Sequence, residues 1–359
     1  MQISVFIGGL SGGGAERVAC NLANYLSSKG NSVRIITMSE EIPAYYLDEC
    51  ITIQSLLYKK ERGSTLYNWI LRIKRLRKAL NIQKDGCFIV MLPYTIALLL
   101  SLRKLTKAKV IAAERCMPNS YSKRKQNLLL KTCKNADGWI FQTPEIKKFY
   151  ENKLKGKKTI VIPNAINPEF LENKECKNTN KEIITAGRMT EQKNHILLIQ
   201  AFSKIALDFP NYHLTILGEG PKRKEIEQLI SELGLEGNIS LPGYVNDVQN
   251  RINNASMFVL SSDYEGMPNA LMEAMAMGVP SISTDCDGGG ARFLIENGKN
   301  GLLVPKNDVE ALAAAMRDLL SHPEKAERLG EEGRKLCERL APEKIYGEWE
   351  EFIKDVVNN

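Results

Sequence analysis

Histidine is scarce in this chain of 359 residues, which has only three. Its eight cysteines include no Cys-x-x-Cys pair and follow no regular spacing. Zinc sites draw on clustered His and Cys, so this composition argues against a metal. Scattered thiols in a chain of this size point to a reducing, cytosolic compartment. The longest apolar run, Phe88 to Leu102, contains Pro93 and is too short to cross a bilayer as a helix. Met1 to Gly9 reads as a strand, without the basic segment and apolar stretch of a secretion signal. A dinucleotide fingerprint is also missing. Neither Gly9 nor Gly12 opens a G-x-G-x-x-G, and only Glu40 and Glu41 lie beyond the second strand. That disfavours a nicotinamide dehydrogenase.

What is present is a chain long enough for two domains. Residues 1–166 hold 28 Lys and Arg against 11 Asp and Glu, and the remainder holds 21 against 31. A basic half joined to an acidic half implies different partners for the two. Short apolar segments alternate with helical ones in both halves. In the first, strands read at Ile3–Gly9, Ser32–Met38, Ile51–Leu56, Phe88–Leu92, Val110–Ala113, Gly138–Gln142 and Thr159–Ile162. In the second they read at Glu182–Ala186, Leu214–Leu217, Ile239–Leu241, Met257–Leu260, Pro280–Ser283 and Gly301–Val304. This is the βα rhythm of doubly wound parallel sheets. The charge change and the polar stretch Asn167–Asn180 put a boundary there, giving domains 1–166 and 167–340. The last helix, roughly Ala341 to Val356, carries Tyr346, Trp349 and Phe352 at helical spacing, which reads as core.

One stretch organises the rest. Residues 265–273 read Glu265-Gly266-Met267-Pro268-Asn269-Ala270-Leu271-Met272-Glu273. An apolar strand precedes them, and Ala274 to Gly278 continues a helix and ends it on glycine. Pro268 suits the first helical position, where a missing N–H costs nothing. Asn269 and Ala270 then offer backbone N–H groups at a helix start, where the macrodipole favours an anion. Glu265 precedes the helix and Glu273 lies one to two turns inside it. A phosphate there would be flanked by two acceptors for sugar hydroxyls, which reads as a nucleotide-sugar site. Either glutamate alone would read as a solvated acid on a capped surface helix.

This E-x7-E pattern, set in EGMPNALMEAMAMGVP, resembles the signature of the retaining glycosyltransferases of family 4. The resemblance covers nearly the whole chain. It implies the GT-B fold: two Rossmann-like domains facing across a cleft, with a C-terminal helix (341–359) crossing back to the N-terminal domain. By that resemblance the first domain binds the acceptor and the second a nucleoside-diphosphate sugar. Arg188 and Lys193, in Gly187-Arg188-x5-Asn194, match the pair that neutralises the leaving diphosphate, with Arg as a fork and Lys as a point charge. Gly12, Gly13 and Gly14, followed by Ala15-Glu16-Arg17, match a loop lying between donor phosphates and acceptor. Glu219 in a glycine turn, and Tyr244 after a third strand, match neighbourhoods that hold the nucleotide. Gly266, Met267, Pro268, Asn269 and Ala270 line the donor, Glu265 holds sugar hydroxyls, and Glu273 holds the ribose. Arg115 departs from the pattern, for many members have a His there. It could contact an acidic or phosphorylated group, or pair with Glu114. Asp285-Cys286-Asp287 contains a D-x-D that binds metal in another fold, but here it reads as a structural turn before glycines. No metal or other cofactor is implied beyond the donor.

Retention with no evident nucleophile implies front-face substitution, in which the acceptor hydroxyl attacks on the side the diphosphate leaves. UDP is favoured over GDP. In the basic half, Leu66, Trp69, Ile70, Ile73, Leu76 and Leu80 share one helical face, with Arg72, Lys74, Arg75, Arg77 and Lys78 around them. Such a helix reads either as core with solvated charges or as contact with an anionic membrane. The favoured reading is a cytoplasmic enzyme, peripheral on the inner face of the membrane, acting on a glycan or lipid-diphosphate-linked acceptor in envelope polysaccharide synthesis. A sugar epimerase or phosphorylase of the same fold is the alternative. Nucleic-acid binding is disfavoured, since no interleaved aromatic and basic platform is present.

Overall fold

The computed structural model describes residues 1–171 and 180–358. Most of the polar stretch expected to link the domains, 172–179, lies outside the described residues. The chain divides into two compact units, Met1–Ala165 with Glu343–Asn359, and Ile166–Pro342.

The first unit carries seven strands: β1 (Gln2–Ile7), β2 (Ser32–Thr37), β3 (Thr52–Ser55), β4 (Cys87–Met91), β5 (Lys109–Glu114), β6 (Gly138–Phe141) and β7 (Lys158–Val161). They form one sheet in the order β3-β2-β1-β4-β5-β6-β7, and every pairing is parallel. The helices between them are α1 (Gly14–Ser28), α2 (Thr65–Ile82), α3 (Pro93–Ser101), α4 (Lys123–Thr132) and α5 (Pro144–Tyr150). The central strand Cys87–Met91 is buried from end to end, and its neighbours β1 and β5 are buried at all but their first residue. That is why they read as unbroken apolar runs rather than alternating ones. Trp139, Phe141 and Tyr150 stack in this core with ring centroids 5.0–5.5 Å apart.

The second unit holds β8 (Asn180–Ala186), β9 (His213–Leu217), β10 (Ile239–Gly243), β11 (Ala255–Leu260), β12 (Ser281–Thr284) and β13 (Leu302–Val304). Their order is β10-β9-β8-β11-β12-β13, again all parallel. Its helices are α6 (His195–Ser203), α7 (Arg223–Glu232), α8 (Val248–Asn254), α9 (Asn269–Ala276), α10 (Gly290–Leu294), α11 (Val309–Ser321), α12 (Pro323–Arg334) and α13 (Leu336–Arg339). A final helix, α14 (Pro342–Asn358), returns to the first unit. Its aromatic stripe is core, with Tyr346, Trp349 and Phe352 all buried. Gly138 makes room for it, because a Cβ there would lie 2.8 Å from the Val356 side chain. Both units are thus doubly wound Rossmann-like domains with a helical C-terminus, as the βα rhythm implies.

The apolar face of α2 divides along its length. Leu76 and Leu80 are buried, whereas Leu66 and Ile70 are 71% and 55% exposed. The core buries the second half of the helix, and in the first half Trp69 packs against it only partly buried.

Candidate active site

Parallel sheets present ligand sites at the carboxyl ends of their strands, where helix N-termini converge. In the second unit five neighbouring strand ends form such a rim. The loop after β8 is tied to the one after β9 by Gly187 N–H to Leu217 O at 2.9 Å and by Met189 N–H to Glu219 O at 2.9 Å. The β9 loop is tied to β10 by Gly218 N–H to Gly243 O at 2.9 Å. Only glycine allows this closeness. A Cβ on Gly218, whose φ is +129°, would lie 2.2 Å from Gly187 O. Arg188 stands exposed on this rim.

Lys193 ends a short turn, Glu191–Lys193, just before α6. Its stem crosses Gly187, where a Cβ would meet Lys193 Cε at 3.0 Å. Its Nζ donates to Glu265 Oε1 at 2.7 Å, and the Ser262 hydroxyl donates to the same oxygen at 2.8 Å. Glu265 is buried. The glutamate of the motif and the lysine of the Gly-Arg-x5-Asn stretch, 72 residues apart, are therefore one ion pair. Ser262 was not singled out from the sequence, although its place three residues before Glu265 was available to see.

Helix α9 starts at Asn269, with Pro268 just before it. That is one residue later than expected, and Asn269 and Ala270 remain the first helical residues. Glu273 is 5% exposed on this helix, among buried Leu271, Met272, Ala274 and Met275. Gly266, Met267 and Pro268 are buried in the turn itself. The Asp285–Gly290 stretch packs on that turn. Glu265 N–H donates to Asp287 O at 2.8 Å, and Asp287 N–H donates to Asp263 O at 3.0 Å. Asp285 pairs with Arg292 and Asp287 with Lys306, both at 2.7 Å. Each carboxylate of the D-x-D thus faces a cation. At the other end of the rim Tyr244 is 75% exposed after β10. Glu219 is engaged by Arg223, and a Cβ on Gly243 would lie 2.6 Å from Glu219 Oε1.

Gly13, Gly14 and Arg115 belong to the first unit. Gly14 opens α1, and no side chain caps it. The loop before it already holds a carboxylate. Glu41 Oε2 accepts from Leu10 N–H at 2.6 Å and from Ser11 N–H at 3.1 Å. Arg115 follows β5, and its guanidinium does not hydrogen-bond to Glu114. The Glu114 carboxylate accepts instead from Tyr121 Oη at 2.8 Å, Tyr150 Oη at 2.7 Å and Arg115 N–H at 3.1 Å. Burial raises the Glu114 carboxyl above its ordinary value. The Arg115 guanidinium lies 5.3 Å from the Trp349 ring centroid.

Comparison with known proteins bears on the whole chain. Residues 12–170 match the family model described as Glycosyltransferase Family 4, and residues 167–336 match the one described as Glycosyl transferases group 1. An uncharacterized glycosyltransferase of Haemophilus influenzae is 28% identical over 348 residues, covering 96% of this chain and 97% of that protein. A Campylobacter jejuni α-1,4-N-acetyl-D-galactosaminyltransferase, whose name gives a GalNAc-GalNAc-diNAcBac-PP-undecaprenol acceptor, is 29% identical over 365 residues and covers 100% and 99%. Among solved structures, Staphylococcus aureus TarM with UDP superposes with a TM-score of 0.83 at 15% identity, covering 98% of this chain and 99% of that one. Anabaena HepE with UDP superposes with a TM-score of 0.82 at 15% identity, covering 99% and 100%. The chain belongs to the glycosyltransferases of family 4 and has the GT-B fold.

Proposed function

We propose that this glycosyltransferase moves a hexose or N-acetylhexosamine, with retention of anomeric configuration, from a UDP-sugar to a lipid-diphosphate-linked glycan in cell-envelope synthesis. The observation that carries the reading is the Lys193–Glu265 pair at 2.7 Å, set between the exposed Arg188 and the start of α9. Arg188, Lys193 and the first amides of α9 supply positive potential where charge grows on the departing diphosphate. Glu265 accepts hydrogen bonds from the donor sugar, and Glu273 from the ribose. The acceptor hydroxyl attacks on the leaving-group face and passes its proton to the departing phosphate oxygen. No metal takes part in this reading, since two cations and a helix start do its electrostatic work. UDP is the favoured nucleotide because TarM and HepE carry it. The lipid-diphosphate acceptor rests on the Campylobacter relatives.

A membrane-bound acceptor also suits α2. Its exposed Leu66, Tyr67 and Ile70 stand beside Lys74, Arg77 and Lys78, the last three lining a groove with Ile70 and Ile82. Apolar insertion with a cationic flank is what holds a helix on anionic lipid, each basic residue near the surface adding about 1 kcal/mol. The enzyme would then work at the inner face of the membrane. No helix among the described residues is long and apolar enough to cross it. Sedimentation with phosphatidylglycerol vesicles should carry down the wild type. The Leu66→Asp/Ile70→Asp double variant should stay in the supernatant, and equal sedimentation would remove α2 from the interface.

The donor reading is tested by calorimetry with UDP, GDP and ADP in the presence of a chelator. UDP should bind best, and Glu273→Ala should weaken it by about 10- to 100-fold, the cost of losing a hydrogen bond to a charged acceptor. Donor turnover without an acceptor would point to an epimerase instead.

A further inference from the structure

Two neighbours in sequence, Glu114 and Arg115, are buried, and the Arg115 guanidinium makes no hydrogen bond to the Glu114 carboxylate. Glu114 turns toward Tyr121 and Tyr150, whose hydroxyls occupy its oxygens. Arg115 turns toward α14 and lies against Trp349. There its Nε, Nη1 and Nη2 are hidden from solvent and have no hydrogen-bond partner among the described residues. The Trp349 Nε1–H is hidden and unpartnered as well. Buried donors normally find acceptors, and a guanidinium most of all. Beside them stands Tyr346, which bonds to Asn21 of α1 and feels the charges of both Arg115 and Arg17. Donors and cations are therefore gathered here next to the first two turns of α1, a helix whose own N-terminus has no side-chain cap. Burial pulls the Arg115 pKa down only to about 10, so it stays a cation at neutral pH.

A phosphoryl group is the complement of such a place. It offers only acceptors and negative charge, and a guanidinium fork binds it in a bidentate way. We propose that Arg115, with the Trp349 indole N–H and Arg17, forms a phosphoryl-binding site in the first unit, reached when the guanidinium swings off the Trp349 ring. A ring contact is weaker than a charged bidentate pair, so an arriving phosphoryl group can draw the side chain away. The ligand is a diphosphate of either substrate. Assigning it to the lipid-linked acceptor rests on the function proposed above.

The test uses the full chain and inorganic pyrophosphate as probe, with and without saturating UDP. Arg115→Met keeps the volume and removes the charge. It should raise the melting temperature, since a buried unpartnered cation is lost, and weaken pyrophosphate about 10- to 100-fold. Trp349→Phe keeps an aromatic face but loses the N–H and part of the buried indole, so it should lower the melting temperature somewhat and weaken pyrophosphate in the protein that remains folded. Pyrophosphate binding that persists under saturating UDP and is lost in Arg115→Met assigns the site to the acceptor. Loss of UDP affinity in Arg115→Met assigns it to the donor. Unchanged affinity for both, with a lower melting temperature, would overturn the proposal and make Arg115 a structural cation. UDP binding to the wild type is read in the same titrations, so failure of the nucleotide-sugar reading would be seen separately.

Discussion

Replacing Lys193 by alanine should lower kcat about 100- to 1,000-fold, the usual cost of removing one preorganised charge from a developing anion. The residue is fixed for that task. Its carbonyl accepts from the Ser261 hydroxyl at 2.9 Å and its amide donates to Thr190 O at 3.2 Å, so its backbone is held from two loops. Its Nζ is held by Glu265 at 2.7 Å, and the two side chains are 18% and 9% exposed. The same substitution leaves the Glu265 carboxylate with only the Ser262 hydroxyl among its contacts described above, costing about 1–3 kcal/mol of stability. Activity and stability therefore fall together, and one must be separated from the other. Lys193→Ala/Glu265→Gln removes the uncompensated charge and should recover the denaturation midpoint without recovering kcat. Initial rates at saturating donor, beside urea unfolding of the same proteins, make the comparison. A single variant as fast as wild type would take Lys193 out of the chemistry.

The ion pair also shows where sequence reading reaches and where it stops. Glycine turns after strands, the run around Pro268 and the Arg188–Lys193 spacing were all visible, because local backbone chemistry and strand ends leave a local mark. That Lys193 touches Glu265, or that the Asp287 backbone bridges to residues 263–265, was not visible, because no periodicity encodes which loops meet. The apolar stripe of α2 gives the same lesson in another form. Periodicity found the face from Leu66 to Leu80, but the core fully buries only Leu76 and Leu80 of it and leaves Leu66 and Ile70 exposed, and what covers a face is a property of its neighbours. Arg115 and Glu114 read as a possible pair. Only the positions of Tyr121, Tyr150 and Trp349 show what each side chain meets. Glu41 on the amides of Leu10 and Ser11 left no mark either, for an acid beyond a strand has many uses.

Gly290 tests how tightly the motif is built. Alanine here should be favourable by helix propensity, since Gly290 opens α10 and the exchange is worth up to about 1 kcal/mol in a helix. Packing opposes this with greater force. A Cβ on Gly290 would lie 1.9 Å from Gly266 O and 2.8 Å from Pro268 Cδ. Neither is the far end of a flexible chain, so no rotamer relieves the clash. Relief requires moving α10 off the turn before α9, against the backbone bonds that join Asp287 to Asp263 and Glu265 at 3.0 and 2.8 Å. Overpacking of this kind typically costs 1–3 kcal/mol and sometimes more, so Gly290→Ala should be destabilising by about 2–3 kcal/mol net. The displaced segment carries Glu265 and the start of α9. A shift of about 1 Å in a positioning element costs about 100-fold in rate, so activity should fall further than stability alone implies. Gly237→Ala is the matched control, because a Cβ there meets nothing within 4 Å, and it should change stability by no more than about 0.5 kcal/mol. Urea midpoints and donor-saturated rates of both variants settle the matter. If Gly290→Ala proves as stable and active as Gly237→Ala, the contact between the two turns is looser than drawn, and the glycines before α10 serve their own turn rather than the donor rim.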